Sequence, residues 1–78
     1  MEMEELRKLM HPKIFNFWAT APHANVELAE KELKREIEIG LIRSLEHFAE
    51  YTLLCKLLGK KVELKMQVPE YWWGCYFG

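Results

Sequence analysis

Aspartate is absent from this chain, serine and glutamine occur once each, and asparagine occurs only at positions 16 and 25. Twelve glutamates carry the whole acidic complement, against eight lysines and three arginines. Glu and Lys enrichment with few thermolabile amides is the direction found in hyperthermophile proteins, so a hyperthermophile source is the expectation. Two cysteines, Cys55 and Cys75, are too few and too far apart for a zinc framework, and no C-x-x-C spacing occurs. Cys55 reads as a buried apolar thiol; a Cys55–Cys75 bridge would fit a hyperthermophile cytoplasm.

Long apolar runs are missing as well. The longest stretch without a charged residue, 14–26, is 13 residues and contains Asn16, Pro22, His23 and Asn25. A span needs about 20 apolar residues, so none is expected. The first five residues are acidic where a secretory leader would be basic, and the expected location is cytoplasmic. Four dispersed glycines (40, 59, 74 and 78) exclude a glycine-rich phosphate loop. A formal net charge of −1 and a pI near 6.3 exclude the usual strongly cationic nucleic-acid binder.

What is present is apolar and charged in a globular proportion: 50% hydrophobic and 29% charged residues, which excludes disorder by composition. Seventy-eight residues make one small domain. Such a domain buries only about 60% of its unfolded surface, so completion by oligomerisation is expected.

Residues 2–10 read as a short helix, with Met3, Leu6 and Met10 at helical spacing and Pro12 as its stop. Residues 13–20 are dense in aromatics and read as a short strand or an irregular segment set into the core. Ala21 to Ala24 read as a loop and Asn25 as an N-cap. From 26 to 58 the apolar positions Val26, Leu33, Ile37, Leu41, Phe48, Tyr51, Cys55 and Leu58 hold one face at the 3.6 period, with Ser44 among them. Glu27–Lys31 and Glu30–Lys34 are set for exposed i,i+4 pairs, and Gly59 ends the pattern. Residues 61–68 switch to period two, with Val62, Leu64, Met66 and Val68 on one side, which reads as a half-buried strand ended by Pro69. The aromatic stretch 71–77 reads as a second strand or an extended tail.

The fold class that follows is α+β and helix-dominated. It comprises a short N-terminal helix, one long helix over 26–58, a C-terminal strand over 61–68 and an aromatic extended segment. Unbroken, the long helix spans roughly 50 Å, whereas a compact chain of this size is only about 30 Å across. A mid-helix glycine costs only about 1 kcal/mol and makes no turn alone, so a continuous helix or one kinked at Gly40 is favoured over a hairpin. From Leu41 to Leu58 the helix is apolar nearly all round and must be buried nearly all round, which favours a homodimer.

The expected interface is therefore Leu41, Leu45, Phe48, Tyr51, Thr52, Cys55 and Leu58 along the helix. Trp72, Trp73, Tyr76 and Phe77 join it from the C-terminus, where Trp and Tyr suit a protein partner. In an extended segment Trp72 and Trp73 would point to opposite sides, one into the core and one outward.

Candidate chemistry is sparse. Arg43, His47 and Glu50 share one face of the expected helix and could poise a general acid–base histidine between a cation and a carboxylate. Arg and His on one helix resemble the ribonucleases of the HEPN superfamily, whose motif sets the two further apart than Arg43 and His47. His47 and Glu50 at i,i+3 also resemble part of a di-iron carboxylate site, in reversed order and without a second copy. A solvated face of ion pairs is the favoured reading, with neither metal nor cofactor expected. Ser44 has no oriented base and is not expected to act as a nucleophile. His11 and His23 read as loop residues. The functional expectation is a binding and assembly module rather than an enzyme, with a metal-dependent or ribonuclease-like enzyme as the alternative. A second alternative is nucleic-acid binding through Lys56, Lys60, Lys61 and Lys65.

Overall fold

The computed structural model describes Glu4, Arg7, Lys8 and residues 10–77, the side chains of 74–77 excepted. Among the described residues are four helices: α1 (Pro12–Thr20), α2 (His23–Glu38), α3 (Leu45–Leu58) and α4 (Glu70–Phe77). Glu4, Arg7 and Lys8 are helical, and the rest of the helix expected over 2–10, up to Leu9, lies outside the described residues.

The aromatic segment expected as a strand or irregular plug is helix α1. Pro12 both ends what precedes it and opens α1, because a proline at the first helical position loses no hydrogen bond. His11 caps it: its Nδ1 accepts from the Lys13 N–H at 3.2 Å. Phe15 and Trp18 then fall three residues apart on one face and pack against Met10, Ala49 and Leu53.

The helix expected over 26–58 is two helices. It starts earlier, at His23, with Pro22 rather than Asn25 in the capping position. It breaks at Gly40, which adopts φ +81°. There the Gly40 N–H bonds Ile37 O at 3.1 Å and the Leu41 N–H bonds Glu36 O at 2.9 Å. This is a Schellman ending, which needs a left-handed residue that glycine supplies without strain. Ser44 restarts the chain as N-cap of α3, its Oγ accepting from the His47 N–H at 3.2 Å. Gly59 closes α3 as Gly40 closes α2, with Lys60 N–H on Cys55 O at 2.8 Å. The resulting hairpin folds α2 back along α3, and the molecule measures 30 × 24 × 20 Å.

Helix α3 is the centre of the fold. Phe48, Ala49, Tyr51, Thr52, Leu53, Leu54 and Cys55 are all buried, on every side of it. Ile37, with Leu33 beside it, packs on Tyr51 and Cys55 from α2. Met10, Phe15 and Trp18 cover Ala49 and Leu53, and Val68 and Trp72 cover Phe48. The cover expected from a second copy thus comes from this chain's own segments.

The strand expected over 61–68 is not formed, and no β-strand occurs among the described residues. The alternation itself is present: Val62, Leu64, Met66 and Val68 are partly or fully buried while Lys61, Glu63, Lys65 and Gln67 are exposed. Period two reports which side chains face inward. A strand also needs a neighbour for its N–H and C=O groups. The segment expected to provide one is helix α4, so the extended chain lies on the helices without a ladder. Its anchor is a side chain, the Tyr51 Oη donating to Glu63 O at 3.1 Å.

Candidate functional site

The chemistry-bearing side chains gather at two places. The first is a cleft of about 360 Å³ lined by Met10, His11, Ile14, Glu46, His47 and Glu50. Two turns of helical geometry build it. Cap Ser44 fixes the first turn of α3, so Glu46, His47 and Glu50 project toward α1, and cap His11 stands at the start of α1 across from them. The Ser44 hydroxyl oxygen accepts the His47 backbone N–H and lies in close contact with His47 Nδ1. In the neutral ring with its proton on Nε2, that hydroxyl donates to Nδ1. His11 Nδ1 is likewise occupied as an acceptor, which places its neutral-ring proton on Nε2. Glu50 Oε1 accepts the indole N–H of Trp18 at 2.6 Å, tying α1 to α3.

Of the three residues expected on one helix face, His47 and Glu50 line this cleft and Arg43 does not. Arg43 lies in the connection between α2 and α3, its guanidinium beside Gly40. Sequence reasoning placed His11 in a loop and missed Glu46. The signal for His11 was its position immediately before a proline that can open a helix. Among the described residues, no three or more His, Cys or Glu side chains are grouped to hold a metal ion.

The second place surrounds Glu30. This carboxylate was expected on the exposed side with Lys34; instead it is 4% exposed. Its Oε2 pairs with Lys60 Nζ at 3.3 Å and its Oε1 accepts from the Cys55 thiol at 3.8 Å. The Glu27–Lys31 pair is formed at 3.3 Å, and Lys31 holds the Glu27 carboxyl below its usual value. Burial, with the Glu30 charge nearby, pushes the Cys55 thiol up to about 11, so it is protonated and unreactive at neutral pH. Burial and the adjacent Cys55 raise the Tyr51 phenol above its ordinary range. Cys55 is a free thiol.

Beside this cluster a cavity of about 440 Å³ is lined by Glu30, Lys31, Lys34, Tyr51, Lys60, Lys61 and Glu63. Of the four lysines expected to act together, Lys60 and Lys61 reach it, joined by Lys31 and Lys34 of α2. Lys56 and Lys65 are exposed elsewhere.

The expected interface residues are distributed differently from one another. Phe48, Tyr51, Thr52 and Cys55 are at most 1% exposed within the single chain, Leu45 and Leu58 are half-buried, and Leu41 is 73% exposed. Trp72 and Trp73 do not point to opposite sides, because α4 is helical and sets neighbours about 100° apart. Both rings meet Phe48, at centroid distances of 5.4 and 5.1 Å. Tyr71 is 68% exposed, and the side chains of Tyr76 and Phe77 lie outside the described residues. None of the helices among the described residues is long and apolar enough to cross a membrane. No family model, no curated protein and no solved structure matches the chain.

Proposed function

We propose that this chain is a small cytoplasmic binding and assembly module that acts by pairing with a second copy of itself and by offering apolar surface to a protein partner. The observation that carries this reading is the position of its uncovered apolar side chains. The core around α3 is closed from within, yet Leu28, Ile39 and Leu41 remain 59%, 58% and 73% exposed, all on α2 or just beyond its end. Phe17 and Ile14 on α1, at 59% and 42%, and Tyr71 on α4 are exposed as well. Single exposed leucines are ordinary, but this many uncovered apolar groups on a chain this small mark a contact surface. Sedimentation across a wide concentration range tests the reading. The expected result is a mass that rises above 9.4 kDa with concentration. A mass that stays at the monomer value throughout would refute it.

A second reading has one observation in its favour. The cleft of about 360 Å³ brings His11 and His47 together with Glu46 and Glu50, groups able to move protons on a small polar ligand. Glu50 and Ser44 already serve α1 packing and the α3 cap, so binding is favoured over catalysis.

A further inference from the structure

The exposed face of α2 carries its residues in a symmetric arrangement. Leu28 and Ile39 are eleven residues apart, close to three full turns, so they share one side of the helix axis. Glu32 and Arg35 fall between them on that side, and all four are exposed. Val26, Glu30 and Ile37 occupy the opposite, buried side. At the C-terminal end of the exposed side, Glu32, Arg35, Glu36, Ile39 and Leu41 enclose a groove of about 270 Å³. One end of the face is thus a projecting leucine and the other a groove where Ile39 and Leu41 stand among charged side chains.

The charges repeat the same symmetry. Leu28 and Ile39 are equidistant from the midpoint between Leu33 and Lys34, and so are Glu32 and Arg35. A two-fold axis through that midpoint sets two α2 helices antiparallel, and these two pairs, both central on the exposed face, then meet across the seam. Leu28 enters the groove at Ile39 and Leu41 of the second copy, and Glu32 meets Arg35 of the second copy. Each contact occurs twice, as an isologous interface requires. A parallel pairing in register would instead set Glu32 against Glu32 and Arg35 against Arg35.

Resting on the self-association reading above, we infer that the exposed face of α2 is the homodimer interface. In it two copies lie antiparallel, Leu28 seats in the groove at Ile39, and Glu32 pairs with Arg35. The test uses sedimentation of the full chain from micromolar to millimolar concentration, with circular dichroism confirming that each variant is folded. Glu32→Arg alone sets two cations against two others, and Arg35→Glu alone sets carboxylates against carboxylates. Each should weaken pairing by about tenfold or more. An equimolar mixture of the two variants should recover the dimer, because every cation then faces a carboxylate. A control mixture of Glu63→Arg and Lys61→Glu carries the same net charges off this face, and its members should each pair as the wild type does.

Four results would overturn the inference, and they separate it from the broader reading. A wild type that is monomeric throughout removes self-association altogether. A wild type that pairs while both single variants pair equally well removes this face and leaves self-association standing. Weakened single variants whose mixture does not recover remove the antiparallel two-fold. A control set that behaves like the test set shows that net charge, rather than this seam, governs pairing.

Discussion

Helices α2 and α3 come from one uninterrupted apolar pattern, yet the fold uses them in opposite ways. Helix α3 is buried on every side, with Leu53, Leu54 and Cys55 at 0% exposure. Helix α2 buries Val26, Glu30 and Ile37 and turns Leu28, Lys31, Glu32 and Arg35 outward. The difference teaches that a helix apolar all round does not by itself call for a partner. A chain folded back on itself can supply the cover, and the apolar side chains left exposed are then on the elements that do the covering.

The largest effect that would sharpen this contrast is truncation in α3. Phe48→Ala removes a ring packed against both Trp72 and Trp73, and a loss of about 3–5 kcal/mol is expected in denaturant unfolding. Leu28→Ala, at an exposed site of α2 and measured in dilute solution, should cost less than about 0.5 kcal/mol. Comparable losses at the two sites would end the distinction between a core helix and a covering helix.

Alkali should act next in size, and through α3 as well. The Cys55 thiol is raised from an ordinary 9.0 to about 11, chiefly by burial, and Tyr51 is raised for the same reason. A raised value means that the folded chain holds its proton where the unfolded chain has lost it. That stability is fully present below about pH 9 and is lost as the pH climbs through about 11. The two-unit shift sets an upper bound of roughly 2–3 kcal/mol for the thiol. Thermal melts across this window should fall steeply for the wild type and less steeply for Cys55→Ala. Parallel curves would mean that the thiol is not held in the core.

The smallest of the three concerns the hinge between the two helices. Gly40→Ala must place a side chain at φ +81°, at a cost of about 1–2 kcal/mol. Gly59→Ala meets the same left-handed strain with nothing within 4 Å of the added methyl group. At Gly40 the nearest atom is the Arg43 guanidinium at 3.1 Å, at the end of an exposed flexible side chain that can swing away. The two costs should therefore match. A Gly40 variant with no loss of stability would argue for a continuous helix.

The hinge was also where the sequence was misread. Gly59 reads as a stop because Lys60 and Lys61 follow it at the negative end of the helix dipole, whereas the same residue type at 40, with no Pro, Asn or Asp beside it, reads only as a propensity cost. The pattern runs across the break because each helix is separately amphipathic, and periodicity does not register a reversal of direction. Gly40 as an ending and Ser44 as a beginning, four residues apart, were the legible signal, but Ser44 fitted the apolar stripe and was assigned to it. The alternation over 61–68 gave the inward side chains correctly, but pairing depends on a second strand that the local pattern does not contain. His47 and Glu50 were legible from their i,i+3 spacing. His11 joins them only through the packing of α1 on α3, which no local spacing encodes.

Glu30 illustrates the same limit and has a consequence for uniqueness. By period it belongs between Val26, Leu33 and Ile37; by charge it was assigned to water. Its carboxylate is instead held between the Cys55 thiol and the Lys60 ammonium. Two helices faced with leucine and isoleucine could slide past each other by a turn and still bury comparable apolar area. Such a slipped hairpin would leave Glu30 among apolar groups without its ammonium, and a stranded buried charge costs several kcal/mol. The buried carboxylate therefore works as a keyed notch in an otherwise greasy joint, admitting one alignment of α2 on α3 and rejecting its near copies.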